Sequence, residues 1–279
     1  MRRPRGRPTF HALSTAPSDT APLLRLEKVS KNFGPVHALE QIDLELRSGE
    51  VTALIGDNGA GKSVTIKTIS GIHPPDGGQI FWDGQPVRIR TPRDAAGLGI
   101  ETVFQDLALC DNLDIVQNMF LGRERTHLGA LDEESMEKAA GETLASLRVT
   151  TVRSIRQPVA SLSGGQRQSV AIAKAVLWNT KLVIMDEPTA ALGVVQTQMV
   201  LDLVRRLADR GHAVMLVSHN MNDVFEVADR IAVLFLGRCV ALRPASEMNR
   251  QIAVDLMTTG KSDRLSADGG AEPEAEVPA

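Results

Sequence analysis

The chain has 279 residues, 43% of them hydrophobic and 23% charged, with a formal net charge of -3 and two cysteines. That is room for one large domain or two small ones, at about 100 to 200 residues each, with a sizeable core. Cys110 and Cys239 stand far apart with no CxxC or Cys/His spacing, so they read as small buried hydrophobes and a disulfide framework is excluded. The longest uninterrupted apolar run, Ile231 to Leu236, is about a third of the ~18 residues that a spanning helix needs. Seven Phe, two Trp and no Tyr mean that any role usually given to a tyrosine falls to another residue.

Residues 1–22 carry Arg2, Arg3, Arg5 and Arg7 against Asp19, with four prolines and no apolar run. They contain no secretory signal and read as a disordered basic arm; contact with nucleic acid or anionic lipid is the other reading of such a segment. Ile42, Leu44 and Leu46 alternate with charged residues, the period-2 pattern of a strand with one buried face. Val51 to Ile55 is a short apolar run of the kind found in a buried strand.

The sequence Gly56-Asp57-Asn58-Gly59-Ala60-Gly61-Lys62-Ser63 follows directly and fits G-x-x-x-x-G-K-[ST]. Glycines permit positive φ and bring successive N–H groups round a phosphate. A helix that begins near Lys62, patterned over Val64 to Ser70 with Gly71 as its stop, turns its positive end on the same anion. In this pattern Lys62 addresses the β and γ oxygens and Ser63 offers its hydroxyl to Mg²⁺.

Ile80 to Trp82 and Pro86 to Ile89 flank Asp83-Gly84, a hairpin signal. Ile100 to Phe104 predicts a strand that ends at Gln105, by itself only an amide at a strand end. Between Asp106 and Pro158 no convincing strand is visible. Asp132 can cap a helix whose Met136, Ala139, Ala140, Thr143, Leu144 and Leu147 share one stripe, which predicts a helical insertion over about 106–160. In Leu162-Ser163-Gly164-Gly165-Gln166, Ser163 is an N-cap and the glycines a turn before an amphipathic helix from Gln166 to Leu177. A hydroxyl, glycine N–H groups and a helix start also make a second anion-binding surface. If the two lie in well-separated parts of one domain, this surface cannot reach a phosphate held by residues 56–63, and a dimer in which each chain closes the other's site is the natural resolution.

Leu182 to Met185, Ala213 to Val217 and Ile231 to Phe235 are three more buried-strand runs separated by helical patterns. They imply βαβ units and a parallel sheet with helices on both faces. The first of these ends in Asp186-Glu187-Pro188. Two acids at the end of a buried strand are costly unless a cation awaits them; otherwise the pair is a strand-end turn with an Asp cap. Asp186 is placed to hold Mg²⁺ through its water shell and Glu187 to polarise a water that attacks a γ-phosphate. His219 follows the next strand, where a lone histidine is more often a loop residue. Residues 260–279 end in a Gly, Pro and Ala-rich acidic tail, read as disordered. Arm and tail cancel in charge, so the folded middle keeps the net -3 and gives no support for nucleic-acid binding.

In this order, the residue 56–63 loop, LSGGQ at 162–166 and LVIMDEP at 182–188 resemble the ATP-binding cassette ATPases over roughly Leu23 to Met257. The resemblance implies an α/β fold: a P-loop NTPase, RecA-like core with an antiparallel β subdomain and a helical signature subdomain, over residues 23–258, flanked by tails at 1–22 and 259–279. It implies ATP and Mg²⁺ as cofactors, with Gly56 to Val64 and, from a second chain, Ser163, Gly164, Gly165 and Gln166 around the nucleotide. Gln105 matches the glutamine that touches Mg²⁺ or the attacking water. His219 matches the histidine that contacts the γ-phosphate, and Glu187 and Lys62 complete the catalytic set. Metal contacts fall to Ser63, Gln105 and Asp186. Phe33 stands where the family has an aromatic, usually Tyr, under adenine. The sequence departs from the family at Gly193, where an Asp is common, so a carboxylate contact across the dimer is missing.

Pro74 to Gly78, Thr91 to Ile100 and Asn118 to Glu124 look similar to the ATPases of ribose, xylose and fructose-type sugar importers. That implies a cytoplasmic subunit on the inner face of the membrane, paired head to tail with a second cassette. Its partners would be transmembrane permease subunits and, through them, an extracytoplasmic sugar-binding protein. An importer ATPase for another solute and a non-transport cassette ATPase remain the alternatives.

Overall fold

A strand needs a partner for its backbone and a cover for its apolar face, and the first hundred residues supply both twice. In the computed structural model, which describes residues 21–149 and 151–262, β1 (Leu24–Phe33) and β2 (Val36–Leu46) form an antiparallel hairpin. Ile42, Leu44 and Leu46 are buried on one face of it. After β3 (Val51–Gly56) and α1 (Lys62–Ile69), β4 (Gly77–Trp82) and β5 (Gln85–Val87) complete a sheet ordered β2-β1-β4-β5. Asp83 and Gly84 both take positive φ, 51° and 73°, as a two-residue hairpin turn that follows strand twist requires. Gly71 ends α1 as expected, at φ 76°. A Cβ there would lie 2.3 Å from the Thr91 carbonyl oxygen, so no other residue fits.

The chain then runs through α2 (Pro92–Leu98), β6 (Ile100–Val103), α3 (Ile115–Phe120), β7 (Thr126–His127), β8 (Ala130–Leu131), α4 (Glu133–Ser146) and α5 (Gly164–Val176). The stretch expected to lack strands contains the two-residue pair β7 and β8, too short and exposed to leave an apolar pattern. It also contains α3, capped by Asp114, whose side chain accepts from Gln117 N while the Gln117 amide oxygen accepts from Asp114 N. Asp132 caps α4 as predicted, and Met136, Ala140, Leu144 and Leu147 are buried. Arg156 ties the caps together, pairing with Asp114 at 3.1 Å, with Glu133 at 2.7 Å and with Glu137.

Asn118 is fully buried in α3. Its side chain accepts from Cys110 N at 2.7 Å and donates to the carbonyls of Cys110, Leu113 and Asp114. The segment from Cys110 to Asp114 is therefore fastened to α3 by one satisfied amide, the condition under which a polar group is tolerated inside.

The remaining elements are β9 (Leu182–Asp186), α6 (Val194–Asp209), β10 (Ala213–Val217), α7 (Met221–Val227), β11 (Arg230–Phe235), β12 (Arg238–Pro244) and α8 (Arg250–Thr259). The large sheet is ordered β12-β11-β3-β10-β9-β6. The expected parallel sheet is present in β11, β3, β10, β9 and β6; β12 adds an antiparallel edge. Strand alternation divides the core. Val183, Met185, Val214 and Leu216 face the cluster that includes α3 to α6. Leu182, Ile184, Met215 and Val217 face α1 and the small sheet. Ala53, Ile55, Ile231 and Val233 pack with α7 and α8. The expected arm lies almost wholly outside the described residues, as does the tail, except that α8 runs through Thr259 and closes at Gly260 with φ 73°.

Candidate active site

The loop from Gly56 to Gly61 is shaped by two constraints. Gly59 and Gly61 take φ 82° and 106°, conformations in which an L side chain is strained. A Cβ on Gly56 would lie 2.7 Å from the Leu234 carbonyl oxygen, so the loop leaves β3 pressed against β11. The far end is held from outside: Gly237 N donates to Ala60 O at 3.0 Å, and Glu40 N donates to Gly237 O at 2.7 Å. The turn between β11 and β12 thus joins the loop to β2, a role that sequence reasoning missed. The Leu236-Gly237 turn signal was there to be read.

The helix α1 starts at Lys62, where its beginning was expected, with Gly61 as its left-handed cap. No side chain caps this end, so the first-turn amides of Lys62, Ser63 and Val64 are available to an anion. The Lys62 ammonium donates to the carbonyls of Gly56 at 2.7 Å and Asp57 at 3.0 Å. An incoming phosphate would exchange two neutral acceptors for anionic ones, adding charge–charge attraction to bonds that the ammonium already assists. Asp57, Asn58, Gly59 and Ser63 are exposed; Gly56, Ala60 and Gly61 are buried.

The parallel register sets the neighbours. Val217 of β10 stands opposite Leu54 of β3 and Asp186 of β9, so the ends of the three strands lie side by side. Glu187 follows Asp186 at φ 52°, and its N–H donates to Val217 O at 2.9 Å. Its Oε2 lies 2.8 Å from His219 Nδ1; the Glu187 side chain is 16% exposed and that of His219 is 73% exposed. One predicted carboxylate is therefore sheltered and tied to the predicted histidine, whose ring faces outward. Gln105, on the loop after β6, is exposed.

Asp186 has an electrostatic deficit. Burial and the neighbouring Glu187 hold its carboxyl above the usual carboxylate range, against the smaller opposing pull of Lys62 and Lys67. A half-buried acid beside another acid, with the exposed Ser63 at the start of the helix that follows β3, on the other side of β10, is a donor set that suits a hard divalent cation.

Ser163 caps α5, accepting from Gln166 N at 3.4 Å while Gln166 Oε1 accepts from Ser163 N at 2.9 Å. The helix accordingly begins at Gly164 and not at Gln166. Gly164 and Gly165 are closely packed: a Cβ on the first would meet Leu192 Cδ2 at 3.0 Å and on the second Gln196 Cβ at 3.0 Å. Residues 163–166 thus rest on the start of α6, and α5 belongs to the cluster of the helical insertion. The helix α1 belongs to the other side of the large sheet. The structure brings Lys62, Asp186, Glu187 and His219 to one edge and places Ser163 to Gln166 elsewhere on the domain.

Phe33, at the end of β1, is 43% exposed. The His73 ring meets it edge-on at 5.1 Å between centroids, and Lys31 Nζ lies 5.6 Å from its centroid. His73 was not anticipated, since forty residues separate the two in sequence.

The Asp186 deficit generates a stability prediction. A carboxyl raised on folding opposes folding at neutral pH, above both of its pKa values, and the penalty fades as pH falls through the folded pKa toward the unfolded value. Metal- and nucleotide-free Asp186→Asn protein should melt higher than wild type at pH 7. The difference should shrink as pH falls toward 4, read by thermal unfolding in EDTA. A lower melting temperature at pH 7 would contradict the deficit.

Residues 39–190 match the family model described as ABC transporter. The chain is 47% identical to a fructose import ATP-binding protein of Rhizobium meliloti, over 86% of this chain and 95% of that protein. It is 45% identical to a xylose/arabinose import ATP-binding protein of Sulfolobus acidocaldarius, over 85% and 94%. A ribose import ATP-binding protein of Rubrobacter xylanophilus is 42% identical over 85% of this chain, but only 47% of that longer protein is covered. Among solved structures, an ATP-binding cassette of an ABC transporter in its ADP conformation aligns with a TM-score of 0.75 at 26% identity, over 90% of this chain and all of that one. A dimeric cassette bound to ADP and Pi aligns at 0.67 and 27%, over 80% and 98%. With the fold, the glycine-rich loop and the acidic strand end all in place, the chain belongs to the ABC transporter family of ATP-binding cassettes.

Proposed function

We propose that this chain is the ATP-hydrolysing subunit of an importer for a monosaccharide, acting as a head-to-tail pair on the inner face of a membrane. The observation that carries the chemistry is the meeting of Lys62, Asp186 and the Glu187–His219 pair at the carboxyl ends of β3, β9 and β10. The names of the fructose and xylose/arabinose relatives support the solute class.

In this reading the amides of residues 59–64 and the Lys62 ammonium bind the β and γ phosphates. Ser63, Asp186 and, from its loop, Gln105 would hold Mg²⁺, which supplies charge neutralisation on those phosphates when bound. Glu187 takes a hydrogen bond from the attacking water and His219 reaches the γ-phosphate, the carboxylate fixing the ring through Nδ1. Phe33 stacks on adenine; its ring keeps the flat apolar face of a tyrosine and lacks only the hydroxyl. Ser163 to Gln166 of a second copy close the site from the other side. That assignment is supported by the segregation of α5 and α1 into different clusters and by the dimeric cassette among the structural relatives.

We place the permease contact in the groove beside Gln105, lined among others by Phe104, Leu107, Leu121, Arg123 and Trp178. A helix seated there would feel the loop after β6 and the helical insertion together, because Asn118 fastens one to the other. Among the described residues no helix is long and apolar enough to cross a membrane, so the membrane contact would come through this partner.

Glu187→Gln keeps the shape and removes the charge. It should abolish turnover while ATP binding persists, and ATP should then drive the chain into a stable dimer seen by size-exclusion chromatography with light scattering. Wild-type turnover in this variant would remove Glu187 from the role. Phe33→Ala should weaken ATP binding by ~1 to 3 kcal/mol, as for bases stacked on aromatic side chains, with Phe33→Tyr close to wild type in a calorimetric titration. Equal affinity for wild type and Phe33→Ala would place the adenine platform elsewhere.

A further inference from the structure

Glu187 and His219 sit on different loops, one after β9 and one after β10, and each loop sends a side chain to the same buried carboxylate. Asp223, in the first turn of α7, is 4% exposed. Its Oδ2 accepts from Thr189 Oγ1 at 2.6 Å, and its Oδ1 accepts from Asn220 Nδ2 at 2.8 Å. Thr189 lies two residues past Glu187, and Asn220 directly follows His219.

The Asn220 arm is rigid. Its Oδ1 accepts from Asn222 N at 3.0 Å, and its own N–H donates to Ser218 Oγ at 3.0 Å, so the residue is fixed at both ends. The Thr189 arm has something to restrain. Glu187 holds φ 52°, a conformation costing an L residue about 1 kcal/mol or more, which persists only when its surroundings over-determine it. Beside its strand bond to Val217 O, Glu187 accepts at its carbonyl from Ala190 N at 3.1 Å. The Thr189 hydroxyl, one residue nearer, is the link that joins this turn to α7.

We propose that Asp223 is a positioning residue for hydrolysis. By holding Thr189 and Asn220 on its two oxygens it sets the distance between Glu187 and His219, and so the geometry of the attacking water. This rests on the roles given to Glu187 and His219 above. Asp223 is buried with both oxygens taken by Thr189 and Asn220, so it acts through the two loops. A carboxylate suits this role because both of its oxygens are engaged by neutral donors in charge-assisted bonds, stiffer than amide or hydroxyl contacts. Burial keeps water from competing for them.

The test is a set of full-length variants assayed for steady-state ATP hydrolysis, nucleotide affinity and thermal unfolding. Thr189→Val keeps the shape and removes the donor; Thr189→Ser restores a hydroxyl; Asp223→Asn keeps the side chain's size and turns one acceptor into a donor. Thr189→Val and Asp223→Asn should lose about tenfold to a hundredfold in kcat, the scale expected for a displacement of about 1 Å at the reacting atoms, with ATP affinity held within about twofold. Thr189→Ser should recover most of the loss. Wild-type kcat in Thr189→Val, a matching loss of ATP affinity, or no recovery in Thr189→Ser at an unchanged melting temperature would each overturn the proposal. If Glu187→Gln turns over normally, the reading of the site fails first; if Glu187→Gln is inactive while Thr189→Val is normal, only the role of Asp223 falls.

Discussion

The register between β3, β10 and β9 decides which side chains meet at the sheet edge. Leu54, Val217 and Asp186 stand level across three parallel strands. From that line the chain continues as the glycine loop after β3, as Ser218-His219 after β10 and as Glu187 after β9. A shift of one residue in any pairing would turn the strand's side chains to the opposite face. The core clusters on both sides enforce this register, because alternate residues of β9 and β10 are buried on both sides of the sheet. The apolar core thus works with the backbone hydrogen bonds of the ladder to position the chemistry.

What the register assembles is electrostatically unfinished. Two acids are adjacent at the end of β9, one of them held above the ordinary carboxylate range by burial and by the other. Across the sheet edge a lysine leans on its own loop's carbonyls, and a helix start is left without a side-chain cap. The Asp186 carboxyl is a cost to the unliganded fold, and it, the lysine and the uncapped helix start would each gain once phosphate and a divalent cation are present. Their coincidence within one edge, and not any single motif, argues for a triphosphate substrate. The bond between Glu187 and His219 holds a sheltered carboxylate against an exposed imidazole, the arrangement that the proposed roles toward water and phosphate require.

Motifs set by backbone geometry were legible in the sequence. The glycines at 59 and 61 take the positive φ values that the phosphate-loop pattern anticipates, and Ser163 is a cap with its partner at Gln166. The Asp83-Gly84 turn and the Asp132 cap were equally plain. The helix α3 has a local signal that the hydrophobic pattern alone does not use, since Asp114 and Gln117 have the spacing of a capping box. Other features had no local signal. The strand β12 is half-buried along most of its length and so shows no clean alternation. Thr189 and Asp223 meet across 34 positions of sequence, and Phe33 and His73 across about 40, contacts that only the folded sheet creates. Gly193, where the family commonly has an Asp, is the N-cap of α6 beside exposed Val194 and Val195.

Catalysis in this scheme depends on a nucleotide site shared between two chains, with residues 56–64 from one and residues 163–166 from the other. Mixing two inactive variants tests this most directly: Lys62→Ala, which spoils the phosphate loop, and Ser163→Arg, which spoils the opposing surface. A mixed dimer would carry one doubly damaged site and one intact site. ATP hydrolysis should therefore reappear on mixing, although each variant alone is inactive. A mixture as inactive as its components, or full activity in Ser163→Arg alone, would contradict a composite site.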